Sequence, residues 1–138
     1  MRAVVQRVRR AAVNTGEGEV SRIGEGLFVL LGVARGDTVE VAERLATKVA
    51  RLRIFSDAEG RLSEPLGARE ILCVSQFTLL GDTSRGNRPA FGLAAPSAEA
   101  EPLYERFCEL TRAKMGAFGE QMEIELTLDG PVTIQIEA

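Results

Sequence analysis

Residues Leu27-Phe28-Val29-Leu30-Leu31 form an unbroken apolar run, which Gly32-Val33 extends. The run is too short to span a membrane and lacks the polar alternation of a strand with one wet face. It predicts a strand buried on both faces. A chain of 138 residues, 45% hydrophobic and with a formal charge of −3, is long enough to cover such a strand within one soluble domain. Residues 1–138 read as a single unit, since no repeat and no Pro-, Gly- or Ser-rich linker divides them. No stretch of membrane-spanning length is apolar, and no charged start leads into an apolar segment with a small-residue cleavage site. A cytoplasmic setting is expected, with no membrane partner.

Met1 to Thr15 reads as a strand, Gly16-Glu17-Gly18 as a turn, and Val20 to Ile23 as a strand before Gly24-Glu25-Gly26. Asp37 is placed to cap a helix with Glu40 as its capping-box partner, and Ala42, Leu45, Ala46 and Val49 recur at helical spacing. This predicts a helix over about 38–52. Arg53-Ile54-Phe55 predicts a short strand, Asp57-Ala58-Glu59-Gly60 a turn, and Glu70 to Phe77 a further apolar strand. A polar loop, Gly81 to Pro89, follows. Ser97 is the expected cap of a second helix running to about Lys114, with Pro102 tolerated in its first turns and Leu103, Phe107 and Leu110 on one face. Met122 to Leu128 and Val132 to Ile136 alternate as two terminal strands, and Asp129-Gly130-Pro131 between them reads locally as a turn. The expected class is α+β: a mostly antiparallel sheet or open β-barrel with two main helices packed on it.

The chain has no histidine. That removes Ser-His-Asp triads, Cys-His dyads, the common His-based zinc sites and any imidazole proton shuttle. Cys73 and Cys108 lack CxxC spacing, which points to neither a disulfide framework nor a zinc knuckle. Gly81-Asp82-Thr83-Ser84-Arg85-Gly86 copies the glycine spacing of a P-loop, but Asn87-Arg88 stand where lysine and Ser/Thr belong. Asp57-Ala58-Glu59-Gly60 resembles the start of a calcium loop without its later ligands. No metal and no cofactor are expected. Fifteen arginines stand against two lysines, and Arg2, Arg7, Arg9 and Arg10 precede the first acid, Glu17. Net acidity argues against indiscriminate coating of nucleic acid, while the arginine-rich start leaves room for a local phosphate-facing patch.

Ser75-Gln76-Phe77-Thr78-Leu79 stands where a buried strand empties into a polar loop, a usual place for residues that meet a ligand on a rigid support. Ser75 or Thr78 can serve as a nucleophile only with a base beside it, and the lysines fall on predicted helices. Backbone N–H groups at such a strand end need no special side chain. A pair of them forms an oxyanion hole, each donor worth on the order of 10²–10³ in rate. That suits a substrate that is already a reactive ester. Were the Gly130-Pro131 bond cis, its two carbonyls would project side by side as a fixed polar clamp.

Taken together, Met1-Arg2-Ala3-Val4-Val5-Gln6-Arg7-Val8, Ile23-Gly24-Glu25-Gly26-Leu27, Arg53-Ile54-Phe55-Ser56-Asp57, Val74-Ser75-Gln76-Phe77-Thr78-Leu79 and Asp129-Gly130-Pro131-Val132-Thr133 resemble the bacterial and eukaryotic D-aminoacyl-tRNA deacylases from end to end. The resemblance implies a homodimer that hydrolyses the ester between a D-amino acid, or glycine, and the terminal adenosine of tRNA. It implies that Gly130-Pro131 is a cis dipeptide inserted into the partner's site to capture the amino group and exclude L side chains, supported by Val132 and Thr133. Ser75, Gln76, Phe77 and Thr78 then form the catalytic pocket, with the Phe77 and Thr78 amides near the scissile carbonyl and the substrate's 2′-hydroxyl assisting. Arg7 resembles the arginine that helps hold the partner's Gly-Pro element. The chain departs from the family pattern at Met115, Leu128, Gly81 and Ala90, and in Ser63-Glu64-Pro65-Leu66, which bears on substrate preference more than on the reaction. The alternative reading is a non-catalytic module that binds the tRNA 3′ end.

Overall fold

The computed structural model describes residues 1–138. In chain order the elements are β1 (Arg2–Thr15), β2 (Gly18–Ile23), β3 (Gly26–Gly32), α1 (Val39–Ala50), β4 (Phe55–Ser56), β5 (Leu62–Glu64), β6 (Glu70–Ser75), a 3-10 turn (Phe77–Leu80), α2 (Ser97–Thr111), β7 (Lys114–Met115) and β8 (Glu123–Glu137). One edge of β1 pairs antiparallel with β3 through its first half and with β2 through its second, while β8 runs antiparallel along its other edge. β6 lies parallel to β3, and β7 parallel to β6. The Ser21 hydroxyl donates to the Met115 carbonyl and Lys114 Nζ donates to the Arg22 carbonyl at 2.8 Å. These contacts bring β2 towards β7, so the sheet nearly closes into a barrel with two helices outside it. No helix is long and apolar enough to cross a membrane.

The apolar run is explained by cores on both faces of β3. Leu27, Val29 and Leu31 pack with Val5 and Ile71 against Leu45 and Val49 of α1 and Tyr104 and Phe107 of α2. Phe28 points the other way, joining Val8, Val13, Ile23, Leu72 and Val74. Burying each such side chain contributes about 1.5–3 kcal/mol, so neither parity of β3 tolerates a polar residue. Arg106 of α2 reaches Glu43 of α1 at 2.7 Å, tying the helices to each other.

Several local expectations are corrected. Thr38, not Asp37, caps α1, its hydroxyl accepting from the Val41 amide. Asp37 is spent elsewhere, taking the Met1 ammonium at 2.8 Å and the Ala34 amide at 2.7 Å. Ser97 is the first residue of α2 behind Pro96 and makes no cap bond. α2 ends at Thr111, short of Lys114, because Arg112 turns left-handed (φ 54°) and the chain enters β7. Leu110 is exposed; Ala100, Tyr104, Cys108 and Thr111 accompany Leu103 and Phe107 on the inner face. The strand expected to reach Phe77 stops at Ser75, and β5 and β7 were not anticipated.

The largest correction concerns the C-terminal end. The two predicted strands are one, β8, and Asp129-Gly130-Pro131 does not reverse the chain. Gln6 pairs with Thr133 and Val8 with Leu128, so residues 129–132 stand opposite Arg7 alone and are thrown out as a bulge. Proline lacks a ladder N–H and is confined to such positions. On β1, Val8 to Arg10 spans only Leu128 to Thr127, so Arg9 bulges in turn.

Asp57 organises the connection between β4 and β5. Its carboxylate accepts from the Glu59 and Arg61 amides at 2.9 Å and from the Ser63 hydroxyl at 2.9 Å. The Arg61 amide is the leading cause of its acidity lying below the usual 3.8. A carboxyl whose pKa is lower folded than unfolded contributes stability above the unfolded value, and loses it as pH falls through the folded one. Wild type is therefore expected to lose urea stability more steeply below about pH 4 than Asp57→Asn. Superimposable acid limbs would overturn this assignment.

Candidate active site

β6 delivers its last residues to the rim of a cleft of about 680 Å³. Val74, Ser75, Gln76 and Phe77 form one wall, and the first turn of α2, Pro96 to Ala100, forms another. At Gln76 the chain leaves the sheet: its amide still donates to the Leu31 carbonyl at 2.8 Å, but its own carbonyl accepts from Leu79 and that of Thr78 accepts from Gly81. The Arg2 guanidinium donates to the Leu79 carbonyl at 3.0 Å, and Leu80 is buried beneath the turn. Phe77 lines the cleft and Thr78 does not; both stand at the head of the turn, where the first amides of a helical turn have no partner within the turn itself.

The side chains here are not arranged as a nucleophile with its base. Ser75 is half-buried, and no carboxylate, lysine or other side chain hydrogen-bonds its hydroxyl. The Thr78 hydroxyl accepts from the Gln76 side-chain amide. Cys73, two residues earlier, is fully buried, and burial pushes its thiol well up, so it stays protonated and poorly nucleophilic. Burial likewise pushes up the Tyr104 hydroxyl, which donates to the Cys73 carbonyl at 2.8 Å and serves to anchor α2 on β6. The cleft lining is mixed, with Arg35, Ser75, Gln76 and Glu120 among apolar residues and an exposed aromatic pair: Phe77, 54% exposed, meets Phe91 edge-on with ring centroids 5.1 Å apart.

Arg7, Gly130, Pro131, Val132 and Thr133 come together at a second place on β1 and β8, and none of them lines this chain's own cleft. Arg7 is 8% exposed; its Nη1 donates to the Ile54 carbonyl at 2.9 Å and its Nε to the Asp129 carbonyl at 3.1 Å. The Asp129 carboxylate lies 3.4 Å from Arg7 and 3.6 Å from Arg9. Within the chain Arg7 thus holds its own bulge. The Gly130-Pro131 bond is cis, Gly130 has φ +126°, and both residues are exposed. Val132 packs on the core, and Thr133 accepts a long 3.4 Å bond from Gln6. Sequence reasoning missed Phe91 and Arg35, which also line the cleft. An aromatic at the exit of a polar loop was the available signal for the first; none marked the second.

Comparison with known proteins agrees over the full length. The family profile described as D-Tyr-tRNA(Tyr) deacylase matches residues 4–137. A D-aminoacyl-tRNA deacylase of Dehalococcoides mccartyi is 52% identical, covering 100% of this chain and 95% of its own. One from Symbiobacterium thermophilum is 50% identical, covering 100% and 96%. Among solved structures, one titled c-Myc DNA Unwinding Element Binding Protein superposes with a TM-score of 0.93 at 43% identity, covering 100% of this chain and 99% of its own. A probable eukaryotic D-amino acid tRNA deacylase has a TM-score of 0.84 at 18% identity, covering 99% and 98%, a likeness of fold. The chain belongs to the D-Tyr-tRNA(Tyr) deacylase family.

Proposed function

We propose that the chain is a carboxylic ester hydrolase that deacylates D-aminoacyl-tRNA, and mischarged glycyl-tRNA(Ala), releasing the free amino acid and tRNA. The observation that carries the D-aminoacyl part of this reading is the end-to-end match at 52% identity to a protein named D-aminoacyl-tRNA deacylase; the glycyl substrate follows from the motif resemblance alone. Water adds to the ester carbonyl, the bond to the ribose oxygen breaks, and that oxygen takes a proton. The amides of Phe77 and Thr78, at the head of the turn, are suited to the developing oxyanion, and the substrate's neighbouring 2′-hydroxyl assists. Positioning and preorganised dipoles suffice for a labile ester. The Phe77 and Phe91 faces offer stacking surface to the terminal adenine. The tRNA substrate makes the cytoplasm the natural setting.

Handedness, on this reading, is checked across a homodimer. Gly130-Pro131 is exposed and does not line its own cleft, which is what a clamp meant for a partner's cleft requires. β8 pairs only with β1, so its other edge is open, and an open edge of this length calls for cover. Exclusion of L side chains by a clash is also the physically economical route, because added contacts to the D form discriminate weakly.

The test is hydrolysis of D-Tyr-tRNA and L-Tyr-tRNA at equal enzyme. The D ester is expected to turn over on the order of 10²-fold faster; equal rates, or none, overturn the reading. Sedimentation giving a monomer at micromolar concentration removes the cross-subunit part. Ser75→Ala is expected to keep activity within about tenfold, whereas loss of a covalent nucleophile costs on the order of 10⁶ in kcat. An inactive but folded Ser75→Ala protein would point to an acyl-enzyme.

A further inference from the structure

Arg35 is the single cation among the side chains lining the cleft, where Glu120 is the single anion. It is held from both ends of its own residue. The Arg35 backbone amide donates to the Leu93 carbonyl at 2.9 Å, and its Nε donates to the Gly92 carbonyl at 3.0 Å. The flanking Ala34–Ala94 bridge and the Ala95 amide on the Val33 carbonyl stitch the two segments together. The Nη1 and Nη2 donors are left without an acceptor and without a carboxylate. Arg7, Arg22 and Arg106, by contrast, are all paired with acids. An exposed guanidinium fixed at the stem and unspent at the fork is poised for a bidentate anion such as phosphate.

The same rim continues into a loop with the same property. Asp82 and Ala90 exchange backbone hydrogen bonds at 2.8 and 2.9 Å, closing a loop that carries Arg85 and Arg88. Both are exposed, and neither makes an ion pair or hydrogen bond. The one acid of the loop, Asp82, turns its carboxylate inward onto the Ser84 amide at 2.9 Å. The loop re-enters the cleft at Phe91. In a chain whose net charge is −3, long-range attraction for RNA is absent, so local unpaired cations must do the holding.

We propose that Arg35 binds the phosphate nearest the reacting ester, and that Arg85 and Arg88 bind the phosphates that follow along the single-stranded 3′ end of the tRNA. This rests on the deacylase reading. The ester sits on the terminal ribose, whose own 5′ phosphate is the first anion the cleft rim meets. The three arginines position the strand; they do not touch the reacting carbonyl.

The experiment compares D-Tyr-tRNA with the D-tyrosyl ester of adenosine, which carries no phosphate. Arg35→Gln is expected to lower kcat/KM for the tRNA about tenfold more than for the adenosine ester, through KM rather than kcat. Arg35→Lys, which keeps the charge, should recover part of it. Each arginine removed should flatten the logarithmic salt dependence of binding by about 0.7, and the Arg35→Gln, Arg85→Gln, Arg88→Gln triple variant by about 2. Equal losses on both esters, or no loss on either, overturn the assignment. Binding of an ACCA oligonucleotide, which carries three internucleotide phosphates, is read separately. If wild type cleaves neither ester the deacylase reading falls, while an unchanged oligonucleotide salt slope in the triple variant overturns the phosphate track in its own right.

Discussion

Gly130→Ala is expected to reduce hydrolysis of D-Tyr-tRNA on the order of 10²-fold while leaving the protein folded. A Cβ at Gly130 would stand 3.0 Å from the Val132 amide nitrogen, 3.0 Å from Val132 Cγ2 and 3.2 Å from Arg7 Nη2. Arg7 cannot give way cheaply, because the Ile54 and Asp129 carbonyls fix it in a buried position. The backbone is also wrong for a side chain: φ +126° costs a non-glycine residue roughly 1–3 kcal/mol. The bulge must therefore move, and with it the carbonyls that the proposed function assigns to the partner's pocket. Because residues 129–131 lie outside the core, the protein should still fold, with a melting temperature lowered by roughly 3–10 °C. Single-turnover rates decide the matter, and an alanine variant within threefold of wild type would sink the clamp, whatever else the enzyme does.

Gly26→Ala is expected to destabilise the whole domain by about 3 kcal/mol or more. Gly26 pairs with Val8 on one side and Glu70 on the other, at the start of the parallel β3–β6 ladder. A methyl there would lie 1.8 Å from the Glu70 carbonyl oxygen and 2.8 Å from its carbon. These are backbone atoms at the first pair of the ladder, so no rotamer change relieves the contact. Separating β3 from β6 opens both cores at once, since Leu27 and Ile71 belong to one and Phe28 and Leu72 to the other. Equilibrium urea unfolding is the measurement. A loss below about 1 kcal/mol would mean that the strands separate without penalty and would refute the two-core account of β3. Activity should fall in parallel, because β6 carries Ser75 to the cleft.

Local signals were legible wherever burial followed chain periodicity. The unbroken apolar run announced a strand with cover on both faces, and Ala42, Leu45, Ala46 and Val49 announced the buried stripe of α1. Ser75, Gln76 and Phe77 were found as cleft residues because a buried strand must spill into a loop at its end. The misreadings fell where two candidates compete locally and a distant group chooses between them. Asp37 and Thr38 are both capping residues, and the Met1 ammonium claims the first. Leu110 fits a helical stripe as well as Thr111 does until the sheet beneath decides which face is inner.

The sequence by itself determined the class of fold, the two core-facing sides of β3, the strand end that meets the cleft, and the family, because each is written in periodicity or in contiguous motifs. Only the tertiary structure decided that residues 123–137 are one bulged strand, that Gly130-Pro131 rests on Arg7 of its own chain and away from its own cleft, and that Arg35 has unspent donors on the rim. The first two depend on β1 offering one continuous edge to a strand more than a hundred residues away, the third on the packing of Arg35 against Gly92 and Leu93. Register against a distant strand and the pairing of charges across loops are properties of packed neighbours, and no local stretch of residues encodes them.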